Sequence, residues 1–181
     1  MILIQKRTNI FETNSSSTHS IVVNSKDISK LNNTLHTLHT SDNKSYVIVE
    51  CNEFGWEVDQ YTDAKMKLSY LVTYICSRIP HDNIKKIKDT SILNKDIIIE
   101  NNLLETQYIE LFTKLENIIC KFCNCDELKI KFDADDYFPF GYIDHQSTAV
   151  PLKILHSDDD YIIDYIFNPN STLCIDNDNH I

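Results

Sequence analysis

Only two of the 181 residues are glycine, Gly55 and Gly141. Glycine is the residue that lets a backbone close on a phosphate or turn through positive φ without strain. Nucleotide folds that rely on glycine-rich turns are therefore excluded, the P-loop and the dinucleotide fingerprint included. A G-x-S-x-G elbow and an H-E-x-x-H helix are also missing from the sequence.

A chain of this length can bury a real core as one unit, and 42% of its residues are apolar. We expect one α+β domain over 1–181: a mostly antiparallel small sheet packed on two main helices, about 63–79 and 101–122. In the first helix Leu68, Leu71, Val72, Ile75 and Ile79 recur at helical spacing between a Thr62 cap and a Pro80 stop. In the second, Leu104, Tyr108, Leu111, Leu115, Ile118 and Phe122 form one stripe. Strands are expected at 2–5, 20–23, 46–50, 128–132, 142–146 and 172–175, with a polar loop over 8–19 and a weak helix around 27–38. Ser157 is expected to cap a short helix whose Asp158, Asp159 and Asp160 suit the helix dipole. Residues 176–181 read as a polar tail.

The net charge of −10, with Arg7 and Arg78 the only guanidinium groups, works against non-specific nucleic-acid binding. Lys85, Lys86 and Lys88 read as a solvated helix face. No apolar run reaches the ~18 residues of a membrane span, and the start MILIQKR has the wrong order for a secretory signal. We expect a soluble, cytoplasmic protein that does not enter membranes. The six cysteines, Cys51, Cys76, Cys120, Cys123, Cys125 and Cys174, read as reduced thiols. Cys120 and Cys123 have a C-x-x-C spacing, but zinc needs a second pair, and the sequence offers none close by.

The most unusual stretch is FETNSSSTHS, residues 11–20. Asn14, Ser15, Ser16, Ser17 and Thr18 put hydroxyls and successive N–H groups into one turn, a concavity that suits a phosphate or carboxylate oxygen. The plainer reading is a turn held by side-chain to backbone bonds. Glu12 and His19 flank it with a carboxylate and an imidazole. A second segment carries Asp144, His145, Gln146 and Ser147; if it meets the first, Glu12, His19, Asp144 and His145 form a set for acid/base catalysis or a divalent metal ion. In a continuing strand Asp144 and His145 point to opposite faces, so the strand must bend or end there for one to orient the other. Trp56, in Phe54-Gly55-Trp56, would stack on a flat ligand or serve as a turn aromatic. His36 and His39 share a face only if 27–38 is helical.

The FETNSSSTHS run, preceded by a basic residue and followed by a short β-run, resembles the start of a group of uncharacterised proteins from phages, large DNA viruses and low-GC bacteria. The likeness extends through 54–56, 63–70 (DAKMKLSY), 141–147 (GYIDHQS) and 167–171 (FNPNS). It implies that these segments form a site, and it carries no reaction with it. The Ile-, Lys- and Asn-rich, glycine-poor composition fits AT-rich coding of the same kinds of source.

Two functions stay open. One is a small ligand-binding protein or a hydrolase/transferase acting on a phosphate-bearing or other anionic ligand, with Glu12, His19, Asp144 and His145 catalytic, Asn14 to Thr18, Trp56, Gln146 and Ser147 contacting ligand, and a divalent metal ion as companion. The other is a non-catalytic phage- or virus-type protein that blocks or sequesters a host protein in the host cytoplasm, through acidic stretches at 133–136 and 158–160.

Overall fold

A helix with apolar residues on more than one face must be surrounded, and in the computed structural model residues Ala64–Cys76 (α1) are. The structure describes residues 2–4, 17–23, 28–55, 59–87, 90–144 and 149–177. Eleven of the thirteen residues of α1 are buried, Lys67, Ser69, Tyr70 and Thr73 among them. Asp63 caps the helix by accepting the Met66 N–H at 2.8 Å. The cap thus falls one residue after Thr62, and the helix ends three residues short of Ile79.

The fold is α+β. Strands β1 (Ile2–Ile4), β2 (Ser17–Val23), β6 (Asp59–Tyr61) and β10 (Thr172–Asn177) make an antiparallel sheet in the order β1-β2-β10-β6. A second sheet, β3-β4-β8-β7, joins Thr37–His39, Ser45–Glu50, Glu127–Lys131 and Ile92–Leu93. In it β4 and β8 run parallel, and the other pairs are antiparallel. A short parallel ribbon joins β5 (Glu53–Phe54) to β9 (Tyr142–Ile143).

The remaining helices are α2 (His81–Ile84), α3 (Lys95–Glu100), α4 (Thr106–Cys123), α5 (Ala149–Leu155) and α6 (Asp159–Phe167). Helix α1 packs on α4, α5, α6, β4 and β9. None of the helices among the described residues is long and apolar enough to cross a membrane.

Four differences from the sequence reading have physical causes. The helix expected over 101–122 starts only at Thr106, because Asn102 turns left-handed at φ 47° after α3. Among the described residues, three left-handed positions fall to asparagine (Asn43, Asn102, Asn124) and one to Gly141, as suits a glycine-poor chain. The weak helix at 27–38 is a 3-10 turn (Ile28–Lys30) followed by β3, so His36 and His39 share no helical face. Strand β10 takes in Asp176 and Asn177, since β2 offers them ladder partners in Thr18 and Ser17 that outweigh their polar composition. Finally, Asp158, not Ser157, caps α6, accepting the Tyr161 N–H at 2.8 Å.

Candidate functional site

His19 is the third residue of β2, opposite Ile175 of β10, and is only 5% exposed. Its Nδ1 lies 2.9 Å from the Tyr70 hydroxyl on α1, with the two rings 5.7 Å apart. The backbone of Gly55 also hydrogen-bonds the ring, and the Asp144 carboxylate acts on it through its charge. The Gly55 contact favours protonation, as a carbonyl acceptor does, which puts the ring N–H toward Gly55. The Nδ1 then accepts from the Tyr70 O–H, a tautomer inferred from this network.

Burial dominates the electrostatics. It lowers the His19 pKa to about 4, against the opposing pull of Asp144 and Gly55, and raises that of Tyr70 well above the usual phenol range. At neutral pH both groups are uncharged, each with a directed hydrogen bond. Phe54 closes the group edge-on to Tyr70 at 5.1 Å and to Tyr61 at 5.8 Å.

Asp144 arrives by way of the β5–β9 ribbon. Strand β9 ends at Ile143, and the Asp144 N–H continues the ladder to the Phe54 carbonyl at 3.1 Å. Just before it, Gly141 sits at φ 66°, where an added Cβ would lie 2.2 Å from the Asn52 carbonyl oxygen. Only glycine permits that approach. Asn52 in turn bonds the Ser69 hydroxyl at 2.8 Å and the Thr73 hydroxyl at 3.1 Å, so α1 positions the ribbon through its own polar side chains.

A second buried polar group lies one turn back along α1. Lys67, with no exposed surface, donates to the Asn168 carbonyl at 2.9 Å and to the Ser171 carbonyl at 3.0 Å. The Asn168 amide donates to Asp164 Oδ1 at 2.9 Å. Burial lowers the Lys67 pKa to about 8, with Asp63 and Asp164 resisting. Sequence reasoning missed this group. The usable signal was Lys67 itself, which stands in the helical register of Ala64, Leu68 and Leu71 and so on the face that had to be core.

Of the twelve residues singled out in the sequence, the structure brings His19 and Asp144 together. Ser17 and Thr18 stand in a strand, opposite Asn177 and Asp176, instead of in the expected turn. Glu12, Asn14, Ser15, Ser16, Trp56, His145, Gln146 and Ser147 lie outside the described residues. Among the described residues no three His, Cys, Asp or Glu side chains converge as a metal site. The described parts of 54–56, 63–70, 141–147 and 167–171 meet around α1 through Phe54 on Tyr70, Gly141 on Asn52 and Lys67 on Asn168. No protein-family model, curated protein or solved structure matches this chain.

Proposed function

We propose that the chain is a small ligand-binding protein or a hydrolase/transferase for a phosphate-bearing or other anionic ligand, with its site at the start of β2. The observation that carries this reading is the meeting of His19 with Asp144, which come from distant parts of the chain, beside Tyr70. The neutral imidazole and phenol supply oriented hydrogen bonds without a buried positive charge. The Asp144 carboxylate opposes an anion, so a proton or a divalent metal ion has to accompany the ligand. In this reading Glu12 and His145 hold that ion or exchange the proton, and Asn14, Ser15 and Ser16 with Gln146 and Ser147 contact the ligand.

A thermal-shift panel of inorganic phosphate, nucleotides and divalent ions tests it. A ligand at ~100 times its dissociation constant adds ~2.7 kcal/mol of stability, and the shift should vanish in Ser16→Ala and His145→Ala. A panel with no shift ends the reading.

A second reading, a non-catalytic interaction protein, is favoured by a different surface. Tyr137 is 85% exposed and Phe138 40%, beside Asp133, Asp135 and Asp136. Phe138, Asp133 and Asp136 border a groove of about 490 Å³ that also takes in Glu50, Glu53 and Lys131, and Tyr137 packs edge-on against Phe138. Exposed aromatics ringed by carboxylates suit a basic protein partner. Titration with a lysine- and arginine-rich peptide should saturate in the wild type and fail in Tyr137→Ser; equal binding by both removes this surface from consideration.

A further inference from the structure

Helix α4 ends in a left-handed cap whose two contacting positions are both cysteines. Asn124 takes φ 53°, and the Cys125 N–H reaches back to the Cys120 carbonyl at 3.0 Å. This is the six-to-one bond of a Schellman cap, in which the side chains at its two ends touch. Here those side chains are thiols close enough to act on each other, the Cys125 Sγ lying 3.8 Å from the Glu127 carbonyl oxygen, and each is half-buried, so a reagent in solvent can reach them. The intervening Cys123 is buried, with its Sγ 3.3 Å from Asn33 Oδ1. Two adjacent thiols can undergo two-electron oxidation to a disulfide.

We propose that Cys120 and Cys125 are a thiol-oxidation site that closes to a disulfide by exchange with a small disulfide such as oxidised glutathione. The Cys125 thiolate attacks one sulfur of the reagent and expels one reagent thiolate, leaving a mixed disulfide. Cys120 then attacks the Cys125 sulfur, gives its proton to water and expels the second reagent thiolate. Two protein thiols are oxidised, and one reagent disulfide is reduced to two thiols. Burial, together with the neighbouring Cys125, holds the Cys120 thiol protonated far above the usual range, so closure is slow and speeds up as pH rises. A high-pKa thiol is also a poor leaving group, so the closed bond resists reduction. The closed form fastens the end of α4 to the start of β8, since Cys125 lies two residues before Glu127.

A second thiol pair supplies the internal control. Cys76, at the end of α1, is fully buried and hydrogen-bonded to the half-buried Cys51. The full chain is incubated with excess oxidised glutathione at alkaline pH, its free thiols are counted after denaturation, and the linked peptides are mapped by mass spectrometry. The mapped link should join Cys120 to Cys125, with no glutathione retained on either of them. Cys123→Ser should close as the wild type does, and Cys125→Ser should not. Phenylarsine oxide, which bridges two adjacent thiols, should protect the same pair from alkylation in the untreated protein. Six free thiols after treatment, or a link between Cys51 and Cys76 with Cys120 and Cys125 still free, overturns the proposal. The wild-type mapping gives this answer even if a serine variant fails to fold.

Discussion

Lys67 and Tyr70 lie one turn apart on the same helix, and each carries a polar group into the core. Their partners differ in kind. Lys67 ends on two main-chain carbonyls, Asn168 and Ser171, which cannot change charge. Tyr70 ends on the His19 imidazole, which faces the Asp144 carboxylate. The first arrangement is a tether that fixes the turn between α6 and β10, and the lysine charge is its means. The second keeps titratable groups in contact with one another. What separates the two buried polar groups is whether the partner is main chain or a side chain that can gain or lose a proton.

The largest expected effect comes from disconnecting one group while sparing the other. In Gly141→Ala the new methyl would overlap the Asn52 backbone, at a φ of 66° that L-residues resist. The left-handed strain of about 1–2 kcal/mol and overpacking of about 1–3 kcal/mol should together lower urea stability by about 3 kcal/mol. The His19 ring resonances should move as the ribbon and Asp144 shift, with the Lys67 side-chain resonances in place. A stability change under ~0.5 kcal/mol, the ordinary range for a surface site, would show that the ribbon tolerates the contact and does not depend on glycine.

Titration distinguishes the two groups by window, since both folded pKa values are lowered and both contributions rise with pH. Folding lowers the His19 pKa from 6.5 to about 4. Between those values the unfolded chain binds a proton that the folded chain refuses, so this stability is complete above pH 6.5 and is lost as pH falls toward 4. The full loss is about 3 kcal/mol. Lys67 is protonated in both states throughout that window. Its own lies between about 8 and 10.5, where the folded chain gives up the proton first and stability rises with pH. Urea melts from pH 7 to 5 should slope downward in the wild type and flatten in His19→Gln. An unchanged slope in that variant would assign the acid sensitivity to other groups.

How far the sequence carried this comparison depended on whether a signal was local. Helical spacing in 64–76 and 106–123 located both main helices, and the apolar run at 45–50 located the strand beside them. The short strands β5, β6 and β7 have almost no pattern of their own and form because a neighbour offers a ladder, whereas β9 falls within the strand expected over 142–146. The same holds at the site. His19 was visible as an imidazole beside a hydroxyl-rich run and Asp144 as a carboxylate at a strand end, but their contact is set by the β5–β9 ribbon and by Gly141, which no periodicity announces. Nothing local marked Tyr70 on α1 for the site, because its hydrogen bond is to a strand residue 51 positions away. Ser17 and Thr18 looked like turn residues by composition, and the pairing of β2 with β10 overrode that preference.

The smallest expected effect is the most selective. Asp164 is 3% exposed; its Oδ1 takes the Asn168 amide, and its Oδ2 has no hydrogen-bond partner among the described residues. Its charge is one of the two that hold the Lys67 pKa up against burial. Asp164→Asn removes that charge while keeping an oxygen for Asn168, so the loss of stability at neutral pH should be no more than about 1 kcal/mol. The Lys67 pKa should then fall below its value of about 8 by about one unit, the usual reach of a single nearby charge, and the alkaline window should open earlier. The acid slope assigned to His19 should stay as it was, because its charged neighbour is Asp144. Carbon-detected NMR of the lysine Cε across pH 6 to 11 reads the first effect, and the acid melts read the second. If Asp164→Asn moves both, the two groups on α1 titrate as one network and the division between tether and site fails.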